Sequence, residues 1–267
     1  MEGTQQACTA ETFDLFLFMG QSNMAGRGIT SERWPQEAPV PDREAGAEYR
    51  AVTDPAGLHP VREPFGVNEN RTPGIHDGAM KTGSMVSAFV KEYYQETGVP
   101  VLGVSASKGG SSIAQWIPGA PEGYLADAME RLAACEAYCK AHSLVIRHRF
   151  VLWCQGETDG DLGTEDDRYQ EDFRKLLSAL FAHGIERLFM VRIGRCNIPG
   201  AYDRYDRMIA LQDKIASDTP GVAMVSTCLA DMRSRGLMKD SFHYYQQAYN
   251  EAGEEAARNA AKLVAGR

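Results

Sequence analysis

Phe16-Leu17-Phe18-Met19-Gly20-Gln21-Ser22-Asn23-Met24 is the stretch from which the fold is read. The apolar run from Phe13 to Met19 stops at a glycine, and a serine follows two positions later. A near-continuous apolar run suits a parallel strand buried on both faces, and ligands of open α/β sheets gather beyond the carboxyl ends of such strands. A serine placed there stands on a rigid element and faces a crevice, where a nucleophile has to sit. Gly20 lets the backbone turn sharply and leaves amide groups free to meet a developing negative charge. On local pattern alone, a plain polar turn after a strand fits at least as well, so the rest of the chain has to decide.

Four more apolar segments follow, at 99–104, 149–154, 187–193 and 222–227. Helical periodicity covers 81–97, 123–141, 165–182, 202–217 and 244–265. Strands alternating with helices predict an α/β protein with a five-stranded parallel sheet. His183-Gly184 and Thr97-Gly98 read as helix ends, and the acids of Thr164-Glu165-Asp166-Asp167 favour the positive end of a helix dipole. The segment 27–80 breaks the alternation. It is rich in Pro, Gly, Glu and Asp and has no sustained period, so it is expected to be a long loop insertion. Because it leaves the chain just after Ser22, one wall of a substrate cleft is its expected role, with a floppy insertion as the other reading. No repeat or linker divides the chain, and residues 1–267 are expected to form one domain.

Composition removes several classes of function. A chain of 267 residues can bury a three-layer core, and a formal charge of −8 without basic runs argues against nucleic acid as a partner. No apolar stretch reaches membrane-spanning length. Cysteines at positions 8, 135, 139, 154, 196 and 228 give neither a zinc spacing nor a disulfide framework, so buried free thiols are expected. Residues 1–11 lack the basic start and apolar centre of a signal peptide, which fits a cytoplasmic protein or a secreted one without its leader.

Three further post-strand stretches carry polar residues. In Ser105-Ala106-Ser107-Lys108-Gly109-Gly110-Ser111-Ser112-Ile113, paired glycines expose amide donors. Lys108 precedes the glycines, so the spacing is not that of a nucleotide P-loop, and GxGxxG is absent. Trp153-Cys154-Gln155-Gly156-Glu157-Thr158-Asp159 offers a side-chain amide in Gln155. Glu157, Asp159 and Asp161 lack the histidines or the spacing that a metal site would use, so neither metal nor cofactor is expected. Asp240-Ser241-Phe242-His243 sets an acid three residues before a histidine, where it can accept from Nδ1–H and leave Nε2 to take a serine proton. His76-Asp77 is the nearest competing pair, but adjacent side chains usually point apart. Together these loops hold a nucleophile, amide donors and a base with its orienting acid, the parts of acyl transfer.

The blocks Gly20-Gln21-Ser22-Asn23-Met24, Gly109-Gly110-Ser111-Ser112-Ile113 with Trp116, Trp153 to Asp159, and Asp240 to His243, in that order, resemble the SGNH hydrolases. Within them the sequence is similar to the sialate O-acetylesterase-like and acetyl xylan esterase group, carbohydrate esterase family 6. The resemblance covers nearly the whole chain and implies a three-layer, flavodoxin-like α/β/α fold. It implies Ser22 as nucleophile, His243 as base and Asp240 as its partner. Ser22, Gly110 and Gln155 would form the oxyanion hole, Gln155 standing where other members carry an asparagine, with Glu157 and Asp159 bracing the loop. The expected substrate is an acetylated carbohydrate such as acetyl xylan or an acetylated sialic acid. Gln21, Arg27, Trp116, Trp34, Glu157 and Arg195 are candidates to grip the sugar. Trp116 fits the core equally well, and Arg192 and Arg195 fit pairing with surface acids as well as with a substrate carboxylate. Two rival readings remain: a short-chain lipase or thioesterase, which would need an apolar acyl channel, and a non-catalytic carbohydrate-binding protein.

Overall fold

The computed structural model describes residues 11–266. The reading of the first residues and the thiol of Cys8 lie outside them. The central strand β1, Thr12–Gly20, is buried along nearly its whole length, and alternate side chains enter two separate cores. Leu15, Leu17 and Met19 face one side of the sheet; Phe16 and Phe18 face the other. A strand buried on both faces is largely apolar, and the one charged residue of β1, Asp14, is buried as a partner of Tyr93 and Arg147.

Among the described residues the sheet has seven strands rather than the five expected. After β1 and the single-turn helix α1 (Ser22–Ala25) come β2 (Gly46–Arg50) and β3 (Asp54–Pro60), both inside the segment expected to be loop. Then follow helix α2 (Val86–Thr97), β4 (Val101–Ser107), α3 (Tyr124–Ala141), β5 (Val145–Cys154), α4 (Glu157–Leu162) and α5 (Asp166–Ala182). The chain finishes with β6 (Arg187–Val191), α6 (Tyr202–Asp218), β7 (Val222–Ser226) and α7 (Gln246–Ala265). The order across the sheet is β3-β2-β4-β1-β5-β6-β7. Neighbouring strands are parallel except for the β2–β3 hairpin at one edge.

The two extra strands escape a sequence reading for a physical reason. β3 reads Asp-Pro-Ala-Gly-Leu-His-Pro and is largely exposed as an edge strand, where proline is tolerated and no apolar face is required. The five expected strands, taken alone, have the flavodoxin-like order 2-1-3-4-5, so the chain reverses direction beside β1. Helices α3, α5 and α6 cover one face and α2 and α7 the other, giving the three layers. Alanines 248, 252, 256 and 260 let α7 lie close to α2, and a Cβ on Gly253 would come within 2.3 Å of the Met85 carbonyl. At the switch point the carboxyl ends of three strands meet, with Gly20 in register with Ser107 on one side and Cys154 on the other.

Candidate active site

Gly20 ends β1 at φ +136°, and a Cβ there would sit 2.0 Å from the carbonyl oxygen of Cys154. Only glycine fits this turn. The amide of Gln21 then bonds to Cys154 O at 2.9 Å, and Ser22 opens the one-turn helix α1. Ser22 Oγ lies 2.9 Å from Nε2 of His243. On the other side of the ring, Nδ1 is 3.0 Å from Oδ2 and 3.1 Å from Oδ1 of Asp240.

The Asp240–His243 segment is a turn held by its own acid. Asp240 Oδ1 accepts the backbone N–H groups of Phe242 and His243, each at 2.8 Å, while Lys239 N donates to His243 O. Burial by itself would raise the Asp240 pKa, but these donors and the imidazole hold the carboxyl below its usual range. Burial pulls His243 below its usual value, and Asp240 opposes that pull. The imidazole is therefore neutral at pH 7, with a free lone pair available for proton transfer once its tautomer is fixed by Asp240.

Among the described residues, the N–H groups of Ser22 and Gly110 have no acceptor. Gly110 adopts φ +71° and is exposed, facing a cavity of about 300 Å³ that also reaches Ser22 and His243. The loop that carries it is pinned at several points. Lys108 N donates to Gly20 O, Gly109 N to Asp77 Oδ1, and Ser111 Oγ to Lys108 O.

Gln155 departs from its expected place. Its side chain is fully buried; Nε2 donates to Ser111 O and to an Asp159 carboxylate oxygen, while Oε1 accepts from Tyr169. Both amide hydrogens are spent beneath the Gly109–Ile113 loop, so this side chain offers the cavity no donor. Asp159 accepts from Ile113 N and Thr164 as well as from Gln155.

The candidate sugar-contacting residues divide. Gln21, Arg27 and Glu157 line the cavity, and so do Met80, Asp161 and Phe242. Gln21 Oε1 accepts from the amides of Gly156 and Thr158, which ties the serine loop to the start of α4. Arg27 is largely buried, donating to Asp77 Oδ2 at 2.7 Å and to its neighbour's carbonyl. Trp116 is wholly buried, edge-on to Trp153 with its indole on Ser111, and so belongs to the core. Arg195 pairs with Asp206 and Ala230 O outside the cavity lining, and Arg192 pairs with Asp213. Trp34 donates to Gly236 O and likewise does not line the cavity.

Asn23, quoted only as part of a motif, is a junction. It donates to Glu157 Oε1 and to the carbonyl of Phe242, beside the imidazole, and accepts from Tyr249 of α7. Burial pushes the Glu157 carboxyl up to about 7, with the Asn23 bond opposing it. His76 and Asp77 do point apart: His76 is exposed on Thr72, whereas Asp77 turns inward to Arg27 and Gly109. Adjacency to Ser22 was the available signal for Asn23; nothing local marks Asp77.

Among the described residues no group of three or more His, Cys, Asp or Glu side chains could hold a metal ion, and five cysteines are free thiols. Among the described residues no helix is long and apolar enough to cross a membrane.

A solved protein from Arabidopsis thaliana superposes with TM-score 0.68 at 19% identity, covering 94% of this chain and 98% of that one. A structure described as a novel carbohydrate acetylesterase from Xanthomonas citri superposes with TM-score 0.63 at 18% identity, covering 95% of this chain. The chain spans 57% of that protein's length. At such identities the likeness concerns the fold. No curated protein sequence matches. The family model described as carbohydrate esterase, sialic acid-specific acetylesterase matches residues 12–262, the span over which the motif blocks are spread. With nearly its full length matched, the chain belongs to the carbohydrate esterase family of sialic acid-specific acetylesterases.

Proposed function

We propose that this carbohydrate O-acetylesterase works through an acyl-serine intermediate on Ser22, with His243 as general base and acid and Asp240 orienting the ring. The reading rests on the 2.9 Å contact of Ser22 Oγ with His243 Nε2, whose far nitrogen is held by Asp240. Ser22 attacks the acetyl carbonyl while its proton passes to Nε2. The oxyanion lies between the Ser22 and Gly110 amides. Collapse of the tetrahedral adduct breaks the bond to the sugar oxygen, which leaves with the proton from Nε2. Water, deprotonated by the same nitrogen, then releases acetate and restores the serine. Segment 27–80 belongs to the substrate cleft in this reading, through Arg27 and Met80.

The substrate we favour is a neutral acetylated sugar. Among the described residues the cavity lining includes one cation, Arg27, whose charge is already met by Asp77, whereas Asp161 is exposed on the same cavity. A carboxylated sugar would bring its charge toward Asp161 with no free cation to receive it.

The deciding measurement is acetate release from 4-nitrophenyl acetate, from an acetylated xyloside and from an O-acetylated sialic acid. Ser22→Ala and His243→Ala are expected to fall to background on all three, with the wild type faster on the xyloside. Background rates in the wild type too would overturn the esterase mechanism; a preference for the sialic acid would overturn the neutral-sugar reading alone.

A further inference from the structure

The Gly109–Gly110 peptide is gripped by two opposite charges. On its amino side, Gly109 N–H donates to Asp77 Oδ1 at 2.8 Å, and the Asp77 side chain is 1% exposed. On its carboxyl side, Lys108 Nζ donates to Gly109 O at 2.7 Å. Gly109 O and Gly110 N–H belong to the same peptide plane. The cis peptides of the described chain lie elsewhere, so this one is trans and the two groups point in opposite directions. Holding the carbonyl therefore aims the N–H.

We propose that Lys108 and Asp77 are positioning residues for the oxyanion hole. Lys108 acts through the peptide carbonyl, Asp77 through the preceding amide, and neither lines the cavity. The inference rests on the reading of Gly110 N–H as an oxyanion donor. Two effects are combined. The first is orientation: Gly109 and Gly110 have no side chains to lock the loop, and φ +71° at Gly110 is one of many conformations open to glycine. The second is polarisation, because a cation on the carbonyl draws electron density from the peptide nitrogen and strengthens the N–H as a donor. Packing agrees with the grip. A Cβ at Gly109 would come within 2.5 Å of Arg27 Nη2 and 2.8 Å of Asp77 Oδ1, so the ion pair closes directly over this residue. Asp77 thus gives the 27–80 segment a role in the chemistry as well as in the cleft.

Lys108 is half-buried and makes this bond to its own neighbour, so its replacement leaves the core untouched. The test compares Lys108→Met, Lys108→Arg and Asp77→Asn with the wild type on 4-nitrophenyl acetate and on its thionoester, in which sulfur replaces the carbonyl oxygen. Thermal unfolding of each variant is followed in parallel. Backbone donors favour oxygen over the larger, weaker acceptor sulfur, so the wild type is expected to prefer the oxygen ester. In Lys108→Met, kcat on that ester should fall about tenfold, short of the hundredfold or more that follows removal of a donor outright. KM and Tm should hold, and the oxygen preference should shrink. Lys108→Arg, which keeps the cation, should recover most of the loss, and Asp77→Asn should follow Lys108→Met in kcat. If Lys108→Met keeps both its rate and the wild-type oxygen preference, the positioning role is overturned while the oxyanion hole stands. If the wild type itself shows no oxygen preference, the oxyanion reading fails and takes this inference with it.

Discussion

His243 Nε2 lies 2.9 Å from Ser22 Oγ across 221 positions of sequence. The contact is made at one end of the sheet, between the single-turn helix behind β1 and a loop folded on its own aspartate. Its pH behaviour follows from the surroundings of the ring. Burial favours neutral imidazole, so the protonated form, inactive in the proposed mechanism, appears only below the ordinary histidine range. The acid limb of kcat/KM should therefore lie below pH 6.5, the ordinary value for histidine. Asp240 opposes the shift, so Asp240→Asn should move the limb to still lower pH while cutting the plateau rate by about 10²–10⁴-fold. A limb that moves upward in this variant would refute the pairing.

Gln155→Ala should act on the fold before it acts on the chemistry. Its amide joins Ser111 O, Asp159 and Tyr169 beneath the Gly110 loop. Truncation leaves buried polar groups unpaired, at a cost of about 1–3 kcal/mol for each. Lower Tm and lower kcat are expected together. Loss of kcat with an unchanged Tm would mark Gln155 as a direct donor and contradict its buried placement.

How much of this was legible in sequence depends on where each signal comes from. β1, β4, β5, β6 and β7 announce themselves because their segments inside the sheet are largely apolar. β2 and β3 do not, since an exposed hairpin at a sheet edge carries no such requirement. The Asp240–His243 pair is legible because three residues of spacing suffice for a turn to close on itself. Gln155 lies in the loop after β5, but the direction of its side chain is set by Tyr169 and Asp159, partners that composition does not reveal. The contact of Asp77 with Gly109 spans 32 positions and joins an insertion to a strand end, and no local pattern encodes it.

Gly20→Ala should be the most destructive single methyl in the active-site region. The new Cβ would stand 2.0 Å from Cys154 O, against backbone that is fixed in the sheet, and φ +136° is a conformation that side-chain-bearing residues avoid. A loss of about 3 kcal/mol or more is expected, or roughly 6–12 °C in Tm for a chain of this size. Differential scanning calorimetry measures it. A near-native Tm would mean that β1 can slide away from β5, and that the turn carrying Ser22 is softer than its packing implies.

Asp161 offers a way to alter which sugars are accepted without touching the reacting groups. It is exposed on the cavity, and Oδ1 accepts from Tyr205, while among the described residues no cation pairs with its carboxylate. Its charge opposes an acidic sugar through Coulomb repulsion at a partly solvated site, worth about 1 kcal/mol or somewhat more at close range. Asp161→Asn keeps the shape and the bond to Tyr205 but removes the charge. The variant should lower KM for an acetylated sialic acid by about five- to tenfold, with kcat/KM for an acetylated xyloside nearly unchanged. Salt should imitate the substitution in the wild type, because screening weakens exposed repulsion. The asymmetry between the two substrates carries the argument. Equal changes on both would point to altered packing around Tyr205, and no change on either would place the sugar carboxylate away from Asp161.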